Sequence, residues 1–218
     1  MLRGLLLLLS ALALWGMRDK PFFWDTIQLG SKHAHWYYGQ GFRYLLLPPE
    51  IDSGHPPAFG MYIAAVWTVF GKSLLSSHLA MLPFVWGTIW LLFPVGRYFA
   101  PRCEWLFPLL ALANPVLLTQ LLLISPDVVL VCGFLLGLYG ILYQRLSAKI
   151  IGGLLLAAIS TRGMMVVVAL FLFDAYQRFF APGATPTRAT LGAILKSTLP
   201  YAPAGLLASA FLLYHYWQ

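Results

Sequence analysis

The chain has 218 residues, 60% of them hydrophobic and only 10% charged, against roughly 45–50% and 25% in an ordinary soluble domain. That balance predicts a chain solvated largely by lipid and excludes a soluble globular domain. The net charge of +7 comes from fourteen Lys and Arg scattered through loops, without the clustered basic face that phosphate-backbone binding needs, so no nucleic-acid partner is expected.

The first element is the apolar run Gly4 to Trp15, read as an uncleaved span over residues 1–17. Met1-Leu2-Arg3 before a leucine-rich stretch has the charge order of a secretory signal, but no small-residue cleavage site precedes Arg18-Asp19-Lys20. Residues 18–77 form a polar loop that collects Asp19, Asp25, Glu50 and Asp52 with His33, His35 and His55. Trp24 to Tyr44 mixes aromatic and charged residues as an interfacial helix does. Pro48-Pro49 is expected to end it, and Asp52-Ser53-Gly54 to turn the chain. Pro56 to Phe70 is apolar but would extend only ~22 Å as a helix, which predicts a re-entrant or interfacial segment.

The remaining expected spans are Leu79 to Leu92 extended toward Tyr98, Trp105 to Leu123, Val128 to Tyr143, a short pair broken at Ser160-Thr161-Arg162-Gly163, and Ser197 to Trp217. A single span from Ile150 to Phe173 would place Arg162 near mid-membrane, at a cost of ~2.5–3.5 kcal/mol. Two shorter helices avoid that cost and bring the count to seven crossings.

With the N-terminus cytoplasmic, Arg3, Arg97, Arg102, Arg145, Lys149, Arg178, Arg188 and Lys196 fall inside, and Arg18, Lys20, Lys32, Arg43, Lys72 and Arg162 outside. If Pro56 to Phe70 crossed and the N-terminus lay outside, the count would be eleven inside against three. The positive-inside rule alone prefers that second arrangement; helix length favours the first.

Cys103 and Cys132, the only cysteines, imply neither a disulfide framework nor a metal-ligand pair. No repeat or linker argues for a second domain, so residues 1–218 are read as one all-α, polytopic transmembrane domain: 1–17 the first span, 18–77 an extracytoplasmic loop, 78–218 the remaining spans. The apolar ending, Phe211 to Gln218 without a polar tail, is expected of the N-terminal part of a longer protein.

Four places carry candidate chemistry. Asp25, in Trp24-Asp25-Thr26 with Gln28, Lys32, His33 and His35 following at helical spacing, is an acid at the membrane surface that could act as a general base; a solvated loop acid is the alternative. Asp52-Ser53-Gly54-His55-Pro56-Pro57 delivers an imidazole to the mouth of the short apolar helix, where it could meet a phosphate oxygen or serve only at a helix start. Asp127, in Ser125-Pro126-Asp127, is equally placed for capping and for function. Arg162 could hold a phosphate or pyrophosphate. In the chosen topology Asp25, His55, Asp127 and Arg162 share one face of the membrane. A divalent metal is a further cofactor to consider, since His33, His35, Asp25 and Asp52 are close in sequence, but their spacing matches no defined ligand motif.

Taken together, these residues resemble the membrane glycosyltransferases of the GT-C class, in particular the family 39 group related to protein O-mannosyltransferases and the lipid A aminoarabinose transferase. The likeness rests on Trp24-Asp25, on Asp52-Ser-Gly-His-Pro-Pro-Ala-Phe-Gly60 leading to Trp67-Thr-Val-Phe-Gly71, on Pro126-Asp127 and on Ser160-Thr-Arg-Gly163, which run in family order through most of the chain. The resemblance implies a polyprenyl-phosphate-linked sugar donor, inverting transfer to a protein, lipid or glycan acceptor, and a bacterial inner-membrane location with the site on the periplasmic face. It implies Asp25 as the catalytic carboxylate and Asp127 as the second acid. His55 and Arg162 would contact donor phosphate, with Lys32 and Asp52 beside them. The competing readings are a carrier or flippase for a lipid or small solute, and a membrane-complex subunit. A carrier should bury charge within its helices, and here nearly all ionisable residues fall at expected helix ends or in loops, which favours the enzyme.

Overall fold

A computed structural model describes residues 1–24, 26–180, 192 and 197–217. Every regular element among the described residues is helical, as the composition predicts. The chain divides into two compact units, Met1–Cys132 and Gly133–Gln218.

The first unit begins with α1 (Leu2–Gly16), which leaves a stripe of Leu5, Leu8, Leu9 and Leu12 exposed and buries only Leu14. A π-helical turn, Ile27–Lys32, runs into α2 (His33–Gln40). Gly41, in the left-handed conformation at φ 57°, closes α2. The helix therefore stops well short of Pro48-Pro49, a correction that a glycine C-cap explains. α3 (Ala58–Phe70) follows, and its 13 residues make it a short helix, as its length in the sequence predicts. Ser73 opens α4 (Leu74–Leu79) with a reciprocal capping box to Ser76. α4 continues through a slight irregularity into α5 (Leu82–Phe99), and together Leu74–Phe99 is, among the described residues, the one continuous helix long and apolar enough to cross a membrane.

Four contacts fix how α1 and the residues just after it meet this long helix. The Arg3 guanidinium lies 4.3 Å from the Trp90 ring centroid and 4.6 Å from that of Phe93. Trp86 Nε1–H donates to the Leu7 carbonyl at 3.2 Å, and His78 Nε2–H donates to the Lys20 carbonyl at 3.0 Å. As residue numbers rise along the first segment they fall along the second, so the two run antiparallel. The polar segment between them starts and finishes at the same end of the pair, and Arg3, Arg97 and Arg102 sit toward the other. A single traverse by α3 from one end of the pair to the other would make α1 and Leu74–Phe99 parallel, which is not the arrangement seen.

The expected span Trp105 to Leu123 is instead two helices, α6 (Leu106–Ala113) and α7 (Pro115–Leu122). Pro115 forces Asn114 into an extended conformation, ψ 118°, and the Asn114 side chain then accepts from Val116 N and Leu117 N as a cap. α8 (Pro126–Leu142) follows α7 at a bend of 114°. That broken pair is long and apolar enough to cross a membrane only if its two helices are counted as one, so the described residues hold one such helix, or two on that count, where the hydropathy reading expects seven.

In the second unit, α9 (Leu146–Ile159) meets the end of α8 backbone to backbone. A Cβ on Gly152 would lie 2.5 Å from Gly137 N and 2.7 Å from Gly133 O, the small-residue contact that lets helices approach closely. Ser160 breaks the chain where expected and caps α10 (Thr161–Phe179) by accepting from Gly163 N at 3.3 Å. At 19 residues α10 is longer than the short partner expected there. A 3₁₀ turn, Leu199–Tyr201, leads to the last described helix, Ala202–Trp217.

This unit also corrects the expectation that ionisable groups stay at ends and in loops. Lys149 is 2% exposed and Asp174 1%, and the Lys149 ammonium lies 2.7 and 2.8 Å from the two carboxylate oxygens. Tyr201 Oη–H donates to Asp174 Oδ2 and Arg178 Nε–H to Oδ1, both at 3.2 Å. The ion cluster joins α9, α10 and the 3₁₀ turn. Arg188 and Lys196, which entered the charge count, lie outside the described residues. Removing one member of a buried pair strands the other charge, so Lys149→Met or Asp174→Asn alone is expected to cost about 3–5 kcal/mol, and Lys149→Met with Asp174→Leu clearly less. Thermal unfolding of the purified variants checks this; a double variant less stable than either single one would contradict it.

Candidate functional site

Within the first unit, the polar segment folds on itself through Trp67. The ring is 2% exposed, and its Nε1–H donates to Ser77 Oγ at 2.7 Å. Phe22, His35 and Tyr38 present edges to it, with centroid separations of 6.5, 4.9 and 6.0 Å. Next to it is a cavity of about 390 Å³ lined by residues that include Ser31, His35, Trp67, Lys72, Ser73 and Ser77. Lys72 Nζ stands 5.6 Å from the Trp67 centroid and 5.7 Å from that of Tyr38, so a cation is held over two aromatic faces at the cavity. His35 Nδ1 lies 2.7 Å from the Ser31 carbonyl oxygen. Because a carbonyl only accepts, Nδ1 carries a proton and donates to it, which fixes the ring against the first turn of the segment.

Asp25 itself lies outside the described residues; the residues before and after it are hydrogen-bonded to one another. Phe23 N–H donates to Thr26 Oγ1 at 2.8 Å, Thr26 Oγ1–H returns to the Phe23 carbonyl at 2.7 Å, and Ile27 N–H donates to the Trp24 carbonyl at 3.0 Å. Trp24 holds a positive φ of 50°, a strained conformation for a bulky side chain that persists only where its surroundings impose it. Phe22 and Ile27, on either side of this turn, both line the cavity.

The other expected site residues fall in three places. Lys32 Nζ donates to the Glu50 carbonyl at 3.0 Å, pinning α2 to the loop after it. Asp52 Oδ1 accepts from Gly54 N at 2.9 Å, an Asx turn that sets up the entry to His55 and α3. Asp127 is in the first turn of α8, its N–H donating to Ser125 Oγ at 3.2 Å, and Ser125 Oγ–H donates to Gln120 Oε1 at 2.6 Å. Arg162, exposed in the first turn of α10, belongs to the second unit. Among the described residues no group of three His, Cys, Asp or Glu side chains is placed to hold a metal ion. Lys72 and Trp67 are not among the site residues expected from the sequence, and His35 is there only as a neighbour of Asp25 at helical spacing and as a possible metal ligand. Lys72 looks like a loop cation, and only folding brings it over Trp67 and Tyr38.

His33 is the most deeply set titratable group here. It is 1% exposed where α2 crosses α3, and neither ring nitrogen meets a hydrogen-bond partner. Gly60 makes the crossing possible, since a Cβ there would lie 2.3 Å from His33 Cβ. Burial lowers the imidazole from its ordinary 6.5 to about 4. The Asp52 carboxylate and the nearby Ile51 backbone oppose the shift, and the charges of Lys32 and His55 add to it.

No known protein family, no curated protein and no solved structure matches the chain.

Because His33 is neutral when folded, the unfolded chain binds more protons between pH 6.5 and about 4. Its contribution to stability is complete above pH 6.5, falls as pH drops through that window, and levels off below about 4. His33→Leu is expected to flatten the stability profile over that interval, as measured by thermal unfolding against pH; an unchanged acid limb would contradict the assignment.

Proposed function

We propose that the chain is a polytopic, membrane-embedded glycosyltransferase of the GT-C type, transferring a sugar from a polyprenyl-phosphate donor to an acceptor hydroxyl at the extracytoplasmic face of a bacterial inner membrane. The observation that carries this reading is the cavity whose wall includes both flanks of the Asp25 turn and which holds Lys72 over Trp67 and Tyr38. An aromatic floor suits a sugar ring, and a cation at the edge suits its phosphate. A carboxylate at position 25 would complete the set. The antiparallel pairing of α1 with Leu74–Phe99 supports placing this cavity at one end of the pair and Arg3, Arg97 and Arg102 at the other, which suits an outward site with a cytoplasmic basic rim.

In this mechanism the Asp25 carboxylate takes the proton of the acceptor hydroxyl as its oxygen bonds to the anomeric carbon from the side opposite the phosphate. The bond from that carbon to the phosphate oxygen breaks, its electron pair leaves with polyprenyl phosphate, and the configuration inverts. Lys72 balances the charge growing on the departing phosphate. His55 and Asp127 keep the supporting roles that the family resemblance gives them.

A carrier for a lipid or small solute is the second reading, and the buried Lys149–Asp174 pair favours it, since charge within helices is what a relay needs. The two readings part on Asp25. In membranes supplied with a polyprenyl-phosphate sugar, Asp25→Asn is expected to lower transfer at least ~100-fold, and Lys72→Ala to raise the donor KM about tenfold; equal transfer by parent and Asp25→Asn would remove the enzymatic reading. Orientation is tested with the exposed Cys103, the buried Cys132 being inert. A membrane-impermeant maleimide should label Cys103 only after permeabilisation, and Lys20→Cys in a Cys103→Ser background in intact cells. The opposite pattern would invert the site.

A further inference from the structure

A second cavity, of about 460 Å³, lies beside the first and shares Ser73 with it. Its walls are two helical rows. Tyr62, Val66 and Phe70 recur every four residues along α3, and Leu75, Leu79 and Pro83 do so along α4 and the start of α5, so each row lies on one face of its helix. The Tyr62 hydroxyl is turned away from solvating the groove because it donates to the Ala80 carbonyl at 2.7 Å. The serines at the shared end are also spoken for: Ser76 Oγ–H donates to the Gly71 carbonyl at 2.7 Å and Ser77 Oγ–H to the Ser73 carbonyl at 2.7 Å. With its polar groups satisfied internally, the groove offers a ligand apolar surface and little else.

Trp67, on the face of α3 that lines the first cavity, separates the two chemistries. On its side are a cation and an imidazole; on the other side is an aliphatic and aromatic channel running ~12 Å along α3. The junction is the Gly71-Lys72-Ser73 corner. A ligand filling both spaces is an amphiphile whose anionic head meets Lys72 and whose hydrocarbon chain leaves along the groove. We infer that the groove between α3 and the Leu74–Phe99 helix holds the head-proximal part of the chain of a long-chain phosphate lipid, with its phosphate at Lys72. This rests on the proposed function and deepens it, assigning the chain of the donor to six named side chains. Only the first part of the chain can lie in the groove, so discrimination should depend on those first units and not on total length.

The test uses the full chain in lipid nanodiscs and binding of sugar-free polyprenyl phosphates, measured apart from transfer. Affinity should rise from inorganic phosphate to farnesyl phosphate and change little with longer chains. Val66→Trp or Leu79→Trp, which fill the groove, should weaken long-chain binding at least about tenfold while leaving the weak binding of inorganic phosphate unchanged. Long-chain binding equal to the parent in a folded Trp variant would overturn the inference. A diazirine on the first isoprene unit gives a reading in the unmutated protein: crosslinks to residues 62–70 and 75–83 are expected, and crosslinks confined elsewhere would overturn it. Chain binding with these properties but no sugar transfer would sink the enzymatic reading alone.

Discussion

The buried hydrogen bond from Trp67 to Ser77 is the constraint on which the first unit turns. Leaving the indole N–H or the Ser77 hydroxyl unpartnered in that interior would cost on the order of 1–3 kcal/mol, so α3 and α4 are held at a fixed spacing. Phe22, His35 and Tyr38 pack their edges against the same ring. One side chain thus ties the exit of α1, helix α2, helix α3 and the start of the long apolar helix. The cavity, the position of Lys72 and the groove behind it are consequences of that tie, since each is bounded by elements Trp67 holds in register.

Much of the fold was legible in the chain because its punctuation is chemical. The break at Ser160 and the shortness of the helix after Pro56-Pro57 are legible in this way, one from an arginine that should not enter lipid, the other from the length of the apolar run. Asn114-Pro115 was passed over because every residue around it is apolar and a hydropathy window averages across a pre-proline break. Gly41 was overlooked for the more conspicuous Pro48-Pro49, although a left-handed glycine ends a helix just as firmly. The candidate site was legible only in part. Asp25, Lys32, Asp52 and His55 were drawn to attention by local spacing, whereas Lys72 gains its meaning from a ring five positions back and another on α2, a relation that sequence distance alone does not report.

The second unit shows the same limit in a different form. Lys149 and Asp174 look like an inner-loop cation and a helix-end acid, but α9 and α10 bring them together in the interior. A pair of opposite charges hides from a composition-based reading because each member is unremarkable and only their contact makes burial affordable. Its presence narrows the contrast between enzyme and carrier, since charge inside a helical bundle no longer separates them.

The elbow between α7 and α8 is where hydropathy and geometry part. Pro115 to Leu142 contains a single charged residue, Asp127, so by hydropathy alone it is one uninterrupted apolar stretch. The folded elbow instead bends by 114° and gathers Gln120, Ser125 and Asp127 at its corner. The corner's hydrogen bonds pair the polar atoms that the break would otherwise leave in apolar surroundings. The bend is therefore a built feature of the chain, with its polar side chains spent on holding one angle between two otherwise featureless apolar helices.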